Sequence, residues 1–198
     1  MREHLTRRAV LVGATATLAL PGHAATRSYE LVAERSTISF HFVANGLRQT
    51  GRVPIGTADI RVDPGNLAAS SADVTADIRK ATTGLLFVTQ TLKSKSVLDA
   101  KNHPIVRFSS TRIQLGEKGR ISEGARIQGE LTLRGVTREI AFDATLSRPA
   151  GTSPDDLSVL YIKLNGVISR SAFGASGFAD LVDDSVEIDI RAEIRTLR

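Results

Sequence analysis

The residues able to do chemistry are few, and nothing in their spacing brings them together. Beyond the first 25 residues, histidine occurs only as His41 and His103. A two-histidine metal site needs both rings near one ion, with further donors completing the shell. His41 falls on the face opposite Phe40 and Phe42, and His103 precedes Pro104 in a turn. A serine hydrolase built from Ser36, His41 and a distant acid lacks its usual frame. The Gly-x-Ser-x-Gly elbow exposes the serine on a sharp turn, whereas Gly174-Ala175-Ser176-Gly177 falls one residue short. That stretch reads as a bend, where glycine tolerates unusual dihedrals, and not as a dinucleotide fingerprint. Cysteine is absent, which excludes disulfides, thiol catalysis and iron–sulfur clusters. No catalytic residue, metal site or cofactor is expected, and no turnover.

What the chain does repeat is alternation, the signature of strands with one apolar face. Phe40 and Phe42 share a face of "STISFHFVA", and Val106 and Phe108 share one of "PIVRFSSTRIQL". In "IQGELTLRGVTREIAFDATL", Leu131 and Leu133 lie on one strand and Phe142 on the next, with a tight turn between. "SVLYIKLNGVI" carries Leu160 and Ile162. One segment, Gly84 to Leu98, instead spaces Leu85, Val88 and Leu92 as on a helix. These residues are the candidate lining of an apolar interior. Phe173 and Phe178 are each either core or the rim of a ligand mouth. Arg134 and Arg138 flank the hairpin turn, as a solvated tip or as contacts for an anionic head group or membrane surface.

The elements that must position these side chains number about eight strands with short connections. Turn residues separate them, as at Asp63-Pro64-Gly65-Asn66 and Gly151 to Pro154. No strand is apolar on both faces, so a parallel sheet under helices is not expected. One-sided strands bury their faces by closing into a barrel or by packing as two sheets. An eight-stranded barrel can have an interior just wide enough to hold one small ligand. A sandwich fills with its own side chains, and alternation does not choose between them. Pro54 cannot donate to a ladder, so its strand is at an edge or bulged there.

The first residues read as an address. Arg2, Arg7 and Arg8 precede an apolar run from Ala9 to Leu20, then Pro21, Gly22 and small residues. That is the layout of a secretory signal, with a run shorter than the about 20 residues a spanning helix takes. The expected division is 1–24 as signal peptide and 25–198 as one β-barrel domain. "TRRAVLV" resembles a twin-arginine signal, and either export route places the protein in the periplasm or outside the cell. The formal charge of +5 falls to about +3 without that segment. The remaining basic residues are scattered and aromatics are only 5% with no Trp, so no nucleic-acid partner is expected.

Four stretches together resemble the YceI-like family of polyisoprenoid-binding proteins. They are "YELVAERSTISFHFVANGLRQTGR", "TLKSKSVLDAKNHPIVRFSS", "GELTLRGVTREIAF" and "GVISRSAFG", in the family's order from about Tyr29 to about Ile194. The resemblance implies an all-β fold, an eight-stranded antiparallel lipocalin-like β-barrel with one short helix. It also implies a long isoprenoid lipid, a polyprenyl chain or quinone tail, bound for transport or sequestration. Alternatives are another amphiphile such as a fatty acid or fatty amide, or a dry sandwich for protein interactions. Transient membrane contact and a homodimer are further partner states the resemblance suggests. The chain departs from the family pattern at Arg35-Ser36, at Gly51-Arg52-Val53-Pro54, and at Val97 and Leu98, where aromatics are usual. Those changes bear on head-group contacts and tunnel width.

Overall fold

Period-two alternation resolves into strands that follow one another around a ring. The computed structural model describes residues 26–116 and 123–197, so the expected signal segment 1–24 lies outside the described residues. The elements are β1 (Arg27–Leu31), β2 (Thr37–Ala44), β3 (Leu47–Val53), β4 (Ile55–Val62), β5 (Ser71–Asp77) and β6 (Thr82–Thr83). Helix α1 (Leu86–Lys93) follows, then β7 (Ile105–Leu115), β8 (Ala125–Leu133), β9 (Val136–Ser147), β10 (Val159–Ser169) and β11 (Ser185–Thr196).

Several of these strands are halves of one stave. β1 and β2 lie end to end along β11, which pairs β2 at Glu187–Arg191 and β1 at Ile194–Thr196. A single 3-10 turn, Ala33–Arg35, separates them. β3 and β4 form a second stave, broken at Pro54, which has no N–H to donate. The register against β5 then shifts between Ile55 and Ala58, so the expected bulge is present. β5 pairs β4 while β6 pairs β3, giving a third broken stave. With β7 to β11 these make a closed, eight-stranded antiparallel barrel with one short helix. The sheet closes on itself, which removes the sandwich alternative.

Two hairpin tips show why local sequence suits the closure. Asn45-Gly46 between β2 and β3 has φ of 51° and 73°, and Arg134-Gly135 between β8 and β9 has 53° and 73°. Positive φ at both central residues marks the turn whose twist matches that of the flanking strands. Asn-Gly adopts it readily, whereas Arg134 at positive φ needs support from outside the turn.

The two ends of the barrel differ. At one, Tyr29, Ile60, Val62, Leu160 and Ile194 pack into a sealed cluster, and the Tyr29 hydroxyl donates to the Leu157 carbonyl at 2.9 Å. At the other stand the two hairpin tips, α1 with the turns after it, and the loop from Arg170 to Asp184. Gly177 N–H donates to the Ser96 carbonyl at 2.9 Å, tying that loop to the helix segment. Asn45 N–H donates to the Leu181 carbonyl at 2.8 Å, tying it to the β2–β3 tip.

Candidate functional site

The inward side chains do not fill the barrel. They surround a cavity of about 590 Å³. Several residues that face inward, among them Phe40, Phe42, Val106 and Phe108, are only half-buried. In a filled sandwich the same positions would be fully covered. Here their inner faces border open space.

Three rings are held against the wall by glycines. A Cβ on Gly51 would sit 2.0 Å from Phe40 Cζ, one on Gly129 2.5 Å from Phe108 Cζ, and one on Gly166 2.6 Å from Phe142 Cδ1. Each glycine lies on the neighbouring strand. The ring therefore lies flat over backbone instead of projecting to the centre. Phe40 and Phe42 stack with centroids 6.2 Å apart, and Phe108 meets Phe142 edge-on at 5.3 Å. Both geometries are favoured for aromatic pairs.

Ten of the sequence-predicted residues share this cavity. Phe40 and Phe42 come from β2, Val106 and Phe108 from β7, and Leu131 and Leu133 from β8. Phe142 comes from β9, Ile162 from β10, and Val88 and Leu92 from α1. Three do not line it. Leu160 is 1% exposed inside the sealed end cluster, where neighbours occupy the space a ligand would need. Phe173 sits in a 3-10 turn, Ser171–Phe173, buried beneath Leu133, Ile168 and Val186; it is core. Leu85 precedes the first turn of α1 and is 60% exposed. The helix, Leu86–Lys93, is shorter at both ends than the Gly84 to Leu98 spacing suggested, and Phe87, Val88, Thr91 and Leu92 form its cavity-facing stripe.

Sequence reasoning missed part of the wall. Val186, Ile188, Ile190 and Ala192 of β11 line the cavity, and their alternation was visible although they were not singled out. Phe87 and Leu181 at the mouth carry no periodic signal. Phe178 resolves as a rim residue, 48% exposed and still lining the cavity.

Three arginines hold the mouth. Arg170 is 8% exposed, and among the described residues its guanidinium donates to carbonyls of the loop it begins. Nε reaches Asp183 at 3.0 Å, Nη2 reaches Val182 at 2.8 Å, and Nη1 reaches Gly177 at 2.8 Å as well as Ala175. Arg134 is the support its turn needs. Its Nη2 donates to Lys95 O at 2.8 Å and its Nη1 to Gly174 O, while Nε is buried without a partner. Arg138 Nε donates to Ala172 O at 3.3 Å. Arg134 is thus neither a solvated tip nor a free anion contact; it ties the hairpin to the mouth loop and helix turn.

None of the titration-shifted groups among the described residues lines the cavity. Arg107, then Ser109, hold Asp73 below the usual carboxylate range, and Arg79 lowers Asp77 to about 2. Arg48 lowers Glu187, and Arg195 with Arg35 lowers Glu193. Burial raises Tyr29, in the sealed end. His41 Nδ1 lies 2.9 Å from Thr50 Oγ1 on the outer face. Among the described residues no group of three or more His, Asp or Glu side chains is placed to hold a metal.

Comparison with known proteins places this architecture. Residues 29–194 match the profile of the YceI-like domain. A UPF0312 protein of Vibrio cholerae is 27% identical over 136 residues, 67% of this chain and 70% of the relative. One from Vibrio vulnificus is 24% identical over 143 residues, 71% and 74% of the two chains. Among solved structures, Burkholderia cenocepacia BcnA superposes with a TM-score of 0.72 at 20% identity, covering 83% of this chain and 99% of that one. A polyisoprenoid binding domain from Saccharophagus degradans gives 0.62 at 14% identity, covering 86% and 99%. The Campylobacter jejuni YCEI protein gives 0.59 at 20%, covering 96% and 94%. At these identities the structural likeness speaks to the fold.

Proposed function

Because this chain belongs to the YceI-like family, we propose that its barrel holds the tail of one long lipid, an isoprenoid chain, for transport or sequestration. The observation that carries this reading is the cavity itself: about 590 Å³, walled by hydrocarbon, sealed at one end and open at the other. Such a site gains about 0.8 kcal/mol for each methylene removed from water. That gain is weighed against an association and ordering cost of about 4–15 kcal/mol, so a tail of many carbons binds where a short one does not. No polar group needs to be placed for this, and the role read here is binding without turnover.

Capacity refines the ligand. If one non-hydrogen atom takes about the 30 Å³ that a water takes in the liquid, the cavity houses about twenty of them. A longer isoprenoid keeps its remaining units and its head group at the mouth. The same capacity favours, as a second reading, a straight-chain amphiphile such as a fatty acid or fatty amide lying wholly inside.

The basic and apolar start of the chain supports export before the lipid is met, by the general or the twin-arginine route. Mass measurement of the mature N-terminus tests this, with cleavage after Ala24 expected.

The lipid is tested by native mass spectrometry of protein purified without detergent, followed by organic extraction. A stoichiometric adduct releasing an isoprenoid supports the first reading, and one releasing a straight chain moves the ligand to the second. No adduct, and no uptake of added polyprenyl lipid, would sink both.

A further inference from the structure

Exposed large apolar side chains are unevenly spread over this protein. Of nine such residues among those described, Leu47, Leu85, Leu86, Phe87, Phe178 and Leu181 belong to the open end. Leu86 and Phe87 are 75% and 78% exposed, and Leu47 is 66%. They come from three separate segments: the β2–β3 tip, the N-terminal end of α1 with the residue before it, and the loop after Arg170. The backbone ties that join these segments bring them around one opening. Isolated exposed leucines need no explanation, but a contiguous apolar rim marks an interaction surface.

Two observations say what that surface meets. The first is continuity with the cavity. Phe87, Phe178 and Leu181 line the cavity and are exposed outside it. β3 meets β6 only at Gly51 and Arg52, so among the described residues Leu47–Thr50 has no strand on that side. An apolar path therefore runs from the rim into the barrel. The second is charge. From Asp77 to Asn102, the segment bearing α1, the chain carries Arg79, Lys80, Lys93, Lys95 and Lys101 against Asp77 and Asp99. The facing loop is acidic at Asp180, Asp183 and Asp184, so the positive charge lies on the α1 side of the mouth. An apolar turn flanked by lysines is the pattern of a helix that lies in the interface of an anionic bilayer, where nearby basic residues add electrostatic attraction.

We propose that the open end is a docking surface for an anionic lipid bilayer, with Leu47, Leu85, Leu86 and Phe87 inserted among the head groups. Docked this way, a lipid tail passes from bilayer to cavity between Phe87 and Leu181 without crossing water. The route rests on the lipid-binding reading; the docking does not.

The test is flotation of the mature protein with vesicles of phosphatidylglycerol and phosphatidylcholine, against pure phosphatidylcholine. The wild type is expected to float with the anionic vesicles and to be released by high salt, since screening weakens surface attraction. The double variant L47D/L86D is expected to float at least tenfold less. Leu47 and Leu86 lie outside the cavity wall, so this variant is expected to take up polyprenyl lipid delivered in detergent at wild-type stoichiometry. The pair K93E/K95E should lose the preference for anionic vesicles by a similar factor.

Three results would overturn the proposal: a wild type that stays off vesicles while holding detergent-delivered lipid, an L47D/L86D variant that floats as well as wild type, or a wild-type dimer that L47D/L86D splits with no vesicle binding by either. The last would assign the rim to a second copy of this chain. Flotation with an empty cavity would support the docking surface and sink the lipid reading alone.

Discussion

At the scale of single residues, the cavity depends on atoms that are missing as much as on those present. Gly51 gives Phe40 its place, because no other group fits beneath the ring. Gly51→Ala should drive that ring into the lumen. Overpacking of this kind costs about 1–3 kcal/mol, and thermal melting is expected to show it together with weaker lipid uptake. Adding Phe40→Leu should restore much of both. Arg170 works in the opposite sense, by filling a need. Arg170→Met leaves the carbonyls of Ala175, Gly177, Val182 and Asp183 without their donor. Stranded buried polar groups cost about 1–3 kcal/mol each when water cannot reach them, so urea denaturation should show a loss of at least that size. Hydrogen exchange in residues 174–184 should quicken first.

The outward carboxylates fix the acid limit of stability. Asp73, Asp77, Glu187 and Glu193 are all lowered by arginine partners, Asp77 to about 2. A depressed folded-state pKa stabilises fully above the unfolded value and is lost as pH falls through the folded one. Stability is therefore expected to be level above about pH 5 and to decline from about pH 4 towards 2. Asp77→Asn should flatten part of that decline in a denaturation series across pH; an unchanged profile would count against this assignment.

At the scale of elements, α1 is the part most dependent on its surroundings. Eight residues are too few to hold a helix in water alone. Val88 and Leu92 give it an apolar face on the cavity. Thr89, 8% exposed, ties it to β6: Thr83 N–H donates to Thr89 Oγ1 at 2.8 Å, and the two hydroxyls lie 2.9 Å apart. Thr89→Val keeps the shape and removes the tie, at a cost of about 1–2 kcal/mol. Exchange should rise across residues 84–98 while β10 stays protected. The broken stave at Pro54 shows the same dependence of element on context. A proline within an alternating run reads as an edge or a bulge, and the structure takes the bulge because β5 and β6 cover the two halves separately.

At the scale of the whole molecule, closure sets capacity. The end cluster around Leu160 and Ile194 makes the cavity blind, so tail length is limited from one side only. In a series of isoprenoid lipids of increasing length, affinity is expected to rise up to about twenty carbons and then level off, since further units lie outside the wall. Continued growth in affinity with length would instead point to a second exit through the sealed end.

The division between sequence and structure follows from the period of a strand. Alternation fixes which side chains share a face, and so Phe40, Phe42, Val106, Phe108, Leu131, Leu133, Phe142 and Ile162 could be grouped before any coordinates. The same alternation fits a filled sandwich, because it carries no information about what lies across from a face. The family resemblance, spread over four ordered stretches, is what implied the barrel. Tertiary structure decided the rest. Leu160 and Ile162 stand two apart on one strand face, yet one plugs the end and the other borders empty space, since depth along the barrel axis is invisible to a period of two. Phe173 became core and Phe178 rim because Arg170 and Arg134 shape the loop between them through main-chain carbonyls, which every residue type carries. Closure, depth and loop shape are set by contacts between residues distant in the chain, and only the folded ring brings those together.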